Sequence, residues 1–277
     1  MSRPGHHRGV RQGAFRTVSI TIHPSRVADE LACEKAGVWR MLTGPTEHAK
    51  YNDHVHVASW IGSAVHARVA EAAEPPPDEL LVYDELTPTM RRARAQVDQL
   101  AEAVSDAIRQ RQWDVVAHEL NLGPITLPGW PPSVDIEGTA DLLTRNRRSG
   151  RGILSDVKTS RDVYPGWLQL GCYALLYDAV GIEGPPGVPH DLEGVAIVHA
   201  PRPATLLAKP HADVLYAPVT EVVFEARKAL ARLVTNLIHP NDAPAAPGTG
   251  CRWCPHPTCV VRERHYAPRN DPTGESL

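Results

Sequence analysis

The sequence predicts an α/β protein. Segments whose apolar residues recur at helical spacing alternate along the chain with short apolar runs of strand length. Near the middle, VDIEGTADLL (134–143) and GILSDVK (152–158) read as the two strands of a hairpin, joined by the basic, Gly-containing loop RNRRSGRG. The 277 residues, 42% hydrophobic and 22% charged, are ordinary for a globular chain with ample length for a core, as one large domain or two small ones.

Residues 1–20 are polar and basic, lack the apolar stretch of a secretory signal, and read as a flexible arm. SRVADELACEKAGVWRML (25–42) reads as one helix, with Ser25 as N-cap, Val27, Leu31, Val38 and Leu42 near helical spacing and Gly44 past its end; Cys33 lies within it. A second helix spans 53–74, capped by Asp53 and stopped by Pro75-Pro76-Pro77. In it Gly62 sits one turn from His66, which leaves room for another backbone to approach the imidazole. An acidic, Pro-rich loop follows over 75–86. Thr87-Pro88 then opens a helix to about Gln112, with Ala93, Val97, Leu100, Val104 and Ile108 as its apolar stripe. WDVVAHEL (113–120) reads as a strand with Val115, Ala117 and Glu119 on one face. Glu119 is either a solvated strand end or part of a site.

On the second hairpin strand, Asp156 and Lys158 project to one side and Val157 to the other. Pairing of the two strands can bring Asp141 close to Asp156. Two carboxylates beside an ammonium suit a hard divalent cation with a positive group next to it; Asp-x-Lys alone also describes a solvated surface pair. Asp162 or Ser160 as a cap and Pro165 at the first helical position open a helix to Val180, ended by Gly181. Gln169 and Tyr173 share one face of it, and Cys172 reads as a buried core thiol. GVAIVHA (194–200) is a further strand. Residues 219–239 form a helix with Val222, Val223, Ala226, Leu230, Leu233 and Leu237 inward, and NDAPAAPGTG (241–250) is a linker.

Net charge is −3, so no global basic field announces nucleic acid. Positive charge is local: Arg3, Arg8, Arg11 and Arg16 in the arm, Arg145, Arg147, Arg148 and Arg151 around the hairpin loop, and Arg252, Arg262, Arg264 and Arg269 near the C-terminus. Such clusters suit phosphate contacts or a solvated surface. No apolar stretch approaches the ~20 residues of a membrane span. Five cysteines, unevenly spread, suit a reducing, cytoplasmic setting rather than a disulfide framework. CRWCPHPTC places Cys251, Cys254 and Cys259 where neighbouring thiolates can converge on one ion or cluster. Cys33 is the best fourth ligand, since it closes a long loop, with His256 or His265 as alternatives. Zn²⁺ and an iron–sulfur cluster both accept this set.

Taken in order, Gly62 and His66 on a helix, Gly138 and Asp141 on a strand, Asp156 and Lys158 on the next, and Gln169 and Tyr173 on the following helix, with one Cys before and three after, resemble the RecB-type branch of the PD-(D/E)XK nucleases. The likeness is greatest to its iron–sulfur members, the CRISPR-associated RecB-like exonucleases and the nuclease domain of the AddB helicase–nuclease subunit, and runs over about 25–260. It departs at Asp156, where Glu is frequent, and at the gap from Cys254 to Cys259, which is about one residue short.

The resemblance implies a PD-(D/E)XK restriction-endonuclease-like core, a four-stranded mixed sheet flanked by helices with the site at one edge of the sheet. It implies a nuclease domain over 21–240 and, over 241–277, a linker, a Cys-rich metal-binding module and a tail. The implied activity is Mg²⁺- or Mn²⁺-dependent hydrolysis of DNA, leaning to exonucleolytic, in recombination, repair or phage replication. His66, Asp141, Asp156 and the Val157 carbonyl would ligate the metal. Lys158 would orient the attacking water or steady charge on the phosphate. Gln169 and Tyr173 would position the DNA strand, or simply pack. Cys33, Cys251, Cys254 and Cys259 would hold a 4Fe-4S cluster or Zn²⁺. DNA is the implied partner. No Walker-type GxxxxGK[ST] occurs, so a helicase or recombination protein would be a separate chain. The reading from another class is a catalytically idle DNA-binding or assembly factor with the same metal-stapled fold; the complete Asp, Asp, Lys set argues against it.

Overall fold

A computed structural model describes residues 19–43, 57–71, 88–161, 166–181, 188–203 and 208–247, with Cys251, Cys259 and Val261. The arm before Ser19, the expected caps Asp53, Thr87 and Asp162, Pro165 at the expected first helical position, the 75–86 loop, Cys254, His256 and His265 lie outside them.

The elements in order are β1 (Ile20–Ile22), a 3₁₀ turn (Pro24–Arg26), α1 (Val27–Ala32), α2 (Glu34–Thr43), α3 (Val57–Glu71), α4 (Pro88–Gln110), β2 (Trp113–Ile125), β3 (Val134–Asn146), β4 (Gly152–Lys158), α5 (Trp167–Val180), β5 (Leu192–His199), β6 (Asp213–Pro218) and α6 (Val219–Ile238). Six strands form one mixed sheet in the order β1-β3-β4-β5-β6, with β2 along the other flank of β3. β1–β3 and β4–β5 are parallel; β2–β3, β3–β4 and β5–β6 are antiparallel. The expected four strands are β2 to β5. β1 and β6 were not expected, because three residues carry no periodicity and β6 is half-exposed without a clean alternation.

Both faces of the sheet are covered, so its middle strands are buried on both sides. On one face Val27, Val38, Leu170, Leu176, Leu230 and Leu233 from α1, α2, α5 and α6 meet Leu143, Leu154, Val195 and Ile197. On the other, Ile61, Val65, Leu100, Val104 and Ile108 from α3 and α4 meet Leu142, Ile153, Val157, Ala196 and Val198.

Three expectations change locally. The helix expected over 25–42 is two helices, because Cys33 is extended (φ −143°, ψ 92°) between them. A side chain at Gly37 would run into the Glu30 carbonyl, so glycine lets α2 turn back onto α1. Glu34, just after the break, is bonded by Arg232 and Asn236 of α6, and the Lys35 N–H donates to Pro244 O at 3.0 Å. The strand expected over 113–120 runs to Ile125, and a register shift between Val115 and Ala117 breaks the even alternation expected there. α5 opens at Gly166 with no side-chain cap, whereas Gly181 ends it in the left-handed conformation as expected.

β3 is the hub of the sheet. β2 runs along one flank. On the other, β1 pairs with Val134–Ile136 and β4 with Leu142–Arg145, so residues 137–141 have no strand partner on that side among the described residues.

Candidate active site

The site lies where β3 and β4 part. Their ladder runs from Arg145↔Gly152 to Leu142↔Ser155; one step further, Asp141 would face Asp156, but the pairing stops. β4 continues against β5 alone, through Asp156↔Ile197, Val157↔Val198 and Lys158↔His199. The site is therefore inside the sheet, at a split between middle strands, rather than at an edge.

At the split, side chains take over backbone bonding. The Val157 N–H donates to Asp141 Oδ2 at 2.8 Å, and the Val157 carbonyl lies 2.8 Å from His66 Nε2 of α3. A carbonyl only accepts, so Nε2 carries the proton. His66 Nδ1 stands 3.4 Å from Asp141 Oδ1. Gly62, one turn before, faces Thr159, whose Oγ1 would touch an added Cβ at 3.4 Å. The close backbone approach expected at the imidazole is that of Val157.

Asp156 is 3% exposed, on the face opposite Val157. Lys158 Nζ donates to its Oδ1 at 3.0 Å. Nζ is also 2.9 Å from Oδ2, but off the direction a hydrogen bond needs, so Oδ2 is buried with no hydrogen-bond partner among the described residues. Burial first, then the Asp141 charge, push the Asp156 pKa up to about 6 against the pull of Lys158 and His66. Burial alone would lower the His66 pKa; the bond and charge of Asp141, the Val157 carbonyl and the Asp156 charge outweigh it and hold the imidazole above its ordinary value.

Gln169 and Tyr173 share a face of α5, with Gln169 Nε2 donating to the Tyr173 hydroxyl at 3.1 Å. Burial, and the charges of Asp141 and Asp156, raise the Tyr173 pKa, while Gln169 draws it down. The ring packs over β3 at Gly138. A Cβ on Gly138 would stand 2.6 Å from Tyr173 Cε1 and 3.1 Å from Pro24 Cδ, so the absent side chain is what admits the ring. That physical reason for Gly138 was not readable beforehand, since it joins residues from three distant segments.

Glu119 was left open by the sequence. The pairs His118↔Leu142 and Leu120↔Ala140 set it level with Asp141 on the neighbouring strand. It lines a small cleft, about 10 Å³, with His66, Asp141 and Val157. Its backbone is left-handed (φ 45°), a conformation that costs about 1–2 kcal/mol outside glycine. The structure thus gathers His66, Glu119, Asp141, Asp156, Val157 and Lys158, with Tyr173 and Gln169 alongside.

Cys172 is a buried core thiol, its pKa pushed up to about 12 by burial. Cys251 and Cys259 are buried and Cys33 is half-buried. Among the described residues no three His, Cys, Asp or Glu side chains stand as a ready-made metal cage. No helix among them is long and apolar enough to cross a membrane.

Two carboxylates beside an ammonium and an imidazole are groups suited to a hard cation and an anionic substrate. The family model for the PD-(D/E)XK nuclease superfamily matches residues 24–259, and the chain belongs to that superfamily. Among solved structures it is similar to a protein of Eubacterium rectale described as an exonuclease, at 12% identity over 92% of this chain and 95% of that one, with a TM-score of 0.51, a likeness of fold. An alkaline exonuclease of Laribacter hongkongensis matches at 13% identity over 80% of this chain and 91% of that one, with a TM-score of 0.32. No curated protein matches.

Proposed function

We propose that this nuclease is a Mg²⁺- or Mn²⁺-dependent deoxyribonuclease of the RecB-type branch that digests DNA from its ends. The observation that carries this reading is the convergence at the end of β4 of Asp141 on the Val157 N–H, His66 on the Val157 carbonyl and on Asp141, and Lys158 on Asp156. These residues form no ready-made cage as they stand, but their donor types suit a hard divalent cation. Asp156 Oδ2 has no hydrogen-bond partner among the described residues, although Lys158 Nζ stands 2.9 Å away, and the two carboxylates repel each other, so a cation between them would be favoured. Asp141, Asp156 and the Val157 carbonyl would hold the ion through oxygen, and His66 through nitrogen, which tilts the set toward Mn²⁺. His66 Nε2 and Val157 O are bonded to each other here, so ligation by that pair exchanges their bond.

When bound, such an ion supplies Lewis-acid polarisation of the phosphodiester and of the attacking water. Lys158, fixed against Asp156, orients that water or steadies charge developing on the phosphate. Tyr173, seated on Gly138, and Gln169 position the strand.

Cys33, Cys251, Cys254 and Cys259 would hold a 4Fe-4S cluster, or Zn²⁺. In support, Cys33 sits on an extended break, and the Lys35–Pro244 bond ties the residues after it to the segment leading to the buried Cys251. Anaerobically purified protein is then brown if the site is iron–sulfur and colourless if it is zinc. The setting we infer is cytoplasmic recombination, repair or phage replication, beside a helicase or recombination protein.

The test is digestion of end-labelled single- and double-stranded DNA with Mn²⁺ or Mg²⁺. We expect progressive loss from the ends, arrest by chelation, and a fall of about 100-fold or more in Lys158→Ala. Equal digestion by parent and variant overturns the reading. DNA binding without digestion favours the idle factor.

A further inference from the structure

We propose that the opposite end of the sheet carries a second nucleic-acid contact, a cleft that takes a phosphate-bearing nucleotide unit between two arginines and a tyrosine. The proposal rests on DNA being the substrate, but not on the chemistry at Asp141. The cleft is about 420 Å³, within the range of roughly 300–1,000 Å³ of small-molecule sites. It opens where β2 begins, β3 ends and β5 begins. From Asp141 to Asn146 is five residues of β3, or ~16 Å.

Its cations are held in place and still have donors to spare. Among the described residues the Arg111 guanidinium donates one bond, from Nη2 to Val214 O at 3.1 Å. The Arg148 guanidinium likewise donates one among them, from Nε to Gln112 Oε1 at 2.8 Å. A guanidinium has five N–H groups, so each keeps donors for an anion, and anchoring limits the freedom lost on binding. Gln112, between them, has a left-handed backbone (φ 61°), and its carbonyl accepts the Arg147 N–H at 3.0 Å. A strained residue is thus kept at the point that fixes Arg148. The acidic group in the lining, Glu193, is already engaged by Asn146 Nδ2 and Ser149 Oγ, both at 2.6 Å.

The aromatic wall is Tyr216 of β6, which is 42% exposed. Its hydroxyl donates to Glu193 O at 3.2 Å, and its ring is tilted 48° against Trp113 with centroids 6.3 Å apart. The ring is therefore held at a set angle with surface to offer. Anchored guanidinium groups beside an exposed, oriented ring form the pairing that binds single-stranded nucleic acid, charge to phosphate and ring to base. A strand and a free nucleoside monophosphate share this chemistry.

The test uses the full-length Lys158→Ala protein with EDTA, so that digestion does not interfere. Binding of a labelled oligothymidylate is followed by anisotropy across a salt series, and binding of thymidine monophosphate by calorimetry. Adding Arg111→Ala with Arg148→Ala should weaken oligonucleotide binding about tenfold and flatten the log–log salt slope by about 0.7 for each phosphate no longer neutralised. Adding Tyr216→Leu should weaken it about fivefold with the salt slope unchanged, while Tyr216→Phe keeps the ring and the affinity. Removing two exposed charges elsewhere, Arg227→Ala with Lys228→Ala on α6, is the control. Monophosphate binding with the same dependence points to a free nucleotide, and its absence to a strand. If the cleft variants match the control for both ligands, the proposal is overturned. Loss of the nuclease reading would show separately, as digestion by Lys158→Ala equal to that of the parent.

Discussion

The strand pair β3–β4 does opposite things at its two ends. Toward the hairpin turn, Leu142↔Ser155 to Arg145↔Gly152 form an ordinary ladder, and at the turn Arg147 forms an exposed pair with Asp114 at 2.7 Å. Toward the other end the ladder is withdrawn, and the freed N–H and C=O of Val157 are taken by Asp141 and His66. A surface turn tolerates charge because water screens it. A split inside the sheet must satisfy each backbone group with a side chain, and those side chains are the ones the proposed function employs.

Removing Asp141 should break this contrast most severely. Asp141→Ala leaves the Val157 N–H unpaired and should cost about 1–3 kcal/mol, a fall of several degrees in Tm, and abolish digestion. Asp141→Asn keeps an acceptor, so it should retain most of the Tm while losing activity. Equal falls in Tm would show that the side chain does not replace a ladder bond. Next, Gly138→Ala drives a methyl into Tyr173 and should cost about 1–3 kcal/mol by thermal melting; an unchanged Tm would mean that the ring yields. Glu119→Gly relieves a left-handed residue and should gain about 0.5–1 kcal/mol once the entropy of glycine is subtracted, while slowing digestion. A drop in stability would show that Glu119 packs rather than strains. Smallest of all, Arg147→Ala at the hairpin end should leave the Tm unchanged within error, although Asp114 loses a partner that holds its pKa below the usual range.

How much of this could be read in advance follows from range. The approach of Asp141 to Asp156 was legible, because a hairpin fixes its own register over a few residues. The amphipathic α4 and α6 were legible from their periodicity. The break at Cys33 was not, because the apolar spacing of Val27 and Val38 runs through it and both are buried. Nor was the left-handed backbone at Glu119, which no local pattern announces. The meeting of Pro24, Gly138 and Tyr173 joins three separate segments, which no local pattern encodes.

The unpartnered flank of β3 also bears on the order in which the chain folds. Its upper boundary, the β3–β4 hairpin, closes over a turn of a few residues. Its lower boundary, β1 and Pro24, arrives from more than a hundred residues away. Loop closure becomes less favourable with separation, and distant pairings are the slow ones. The hairpin can therefore form while the seat for Tyr173 is incomplete, and the return of the N-terminal strand is the late event that finishes it.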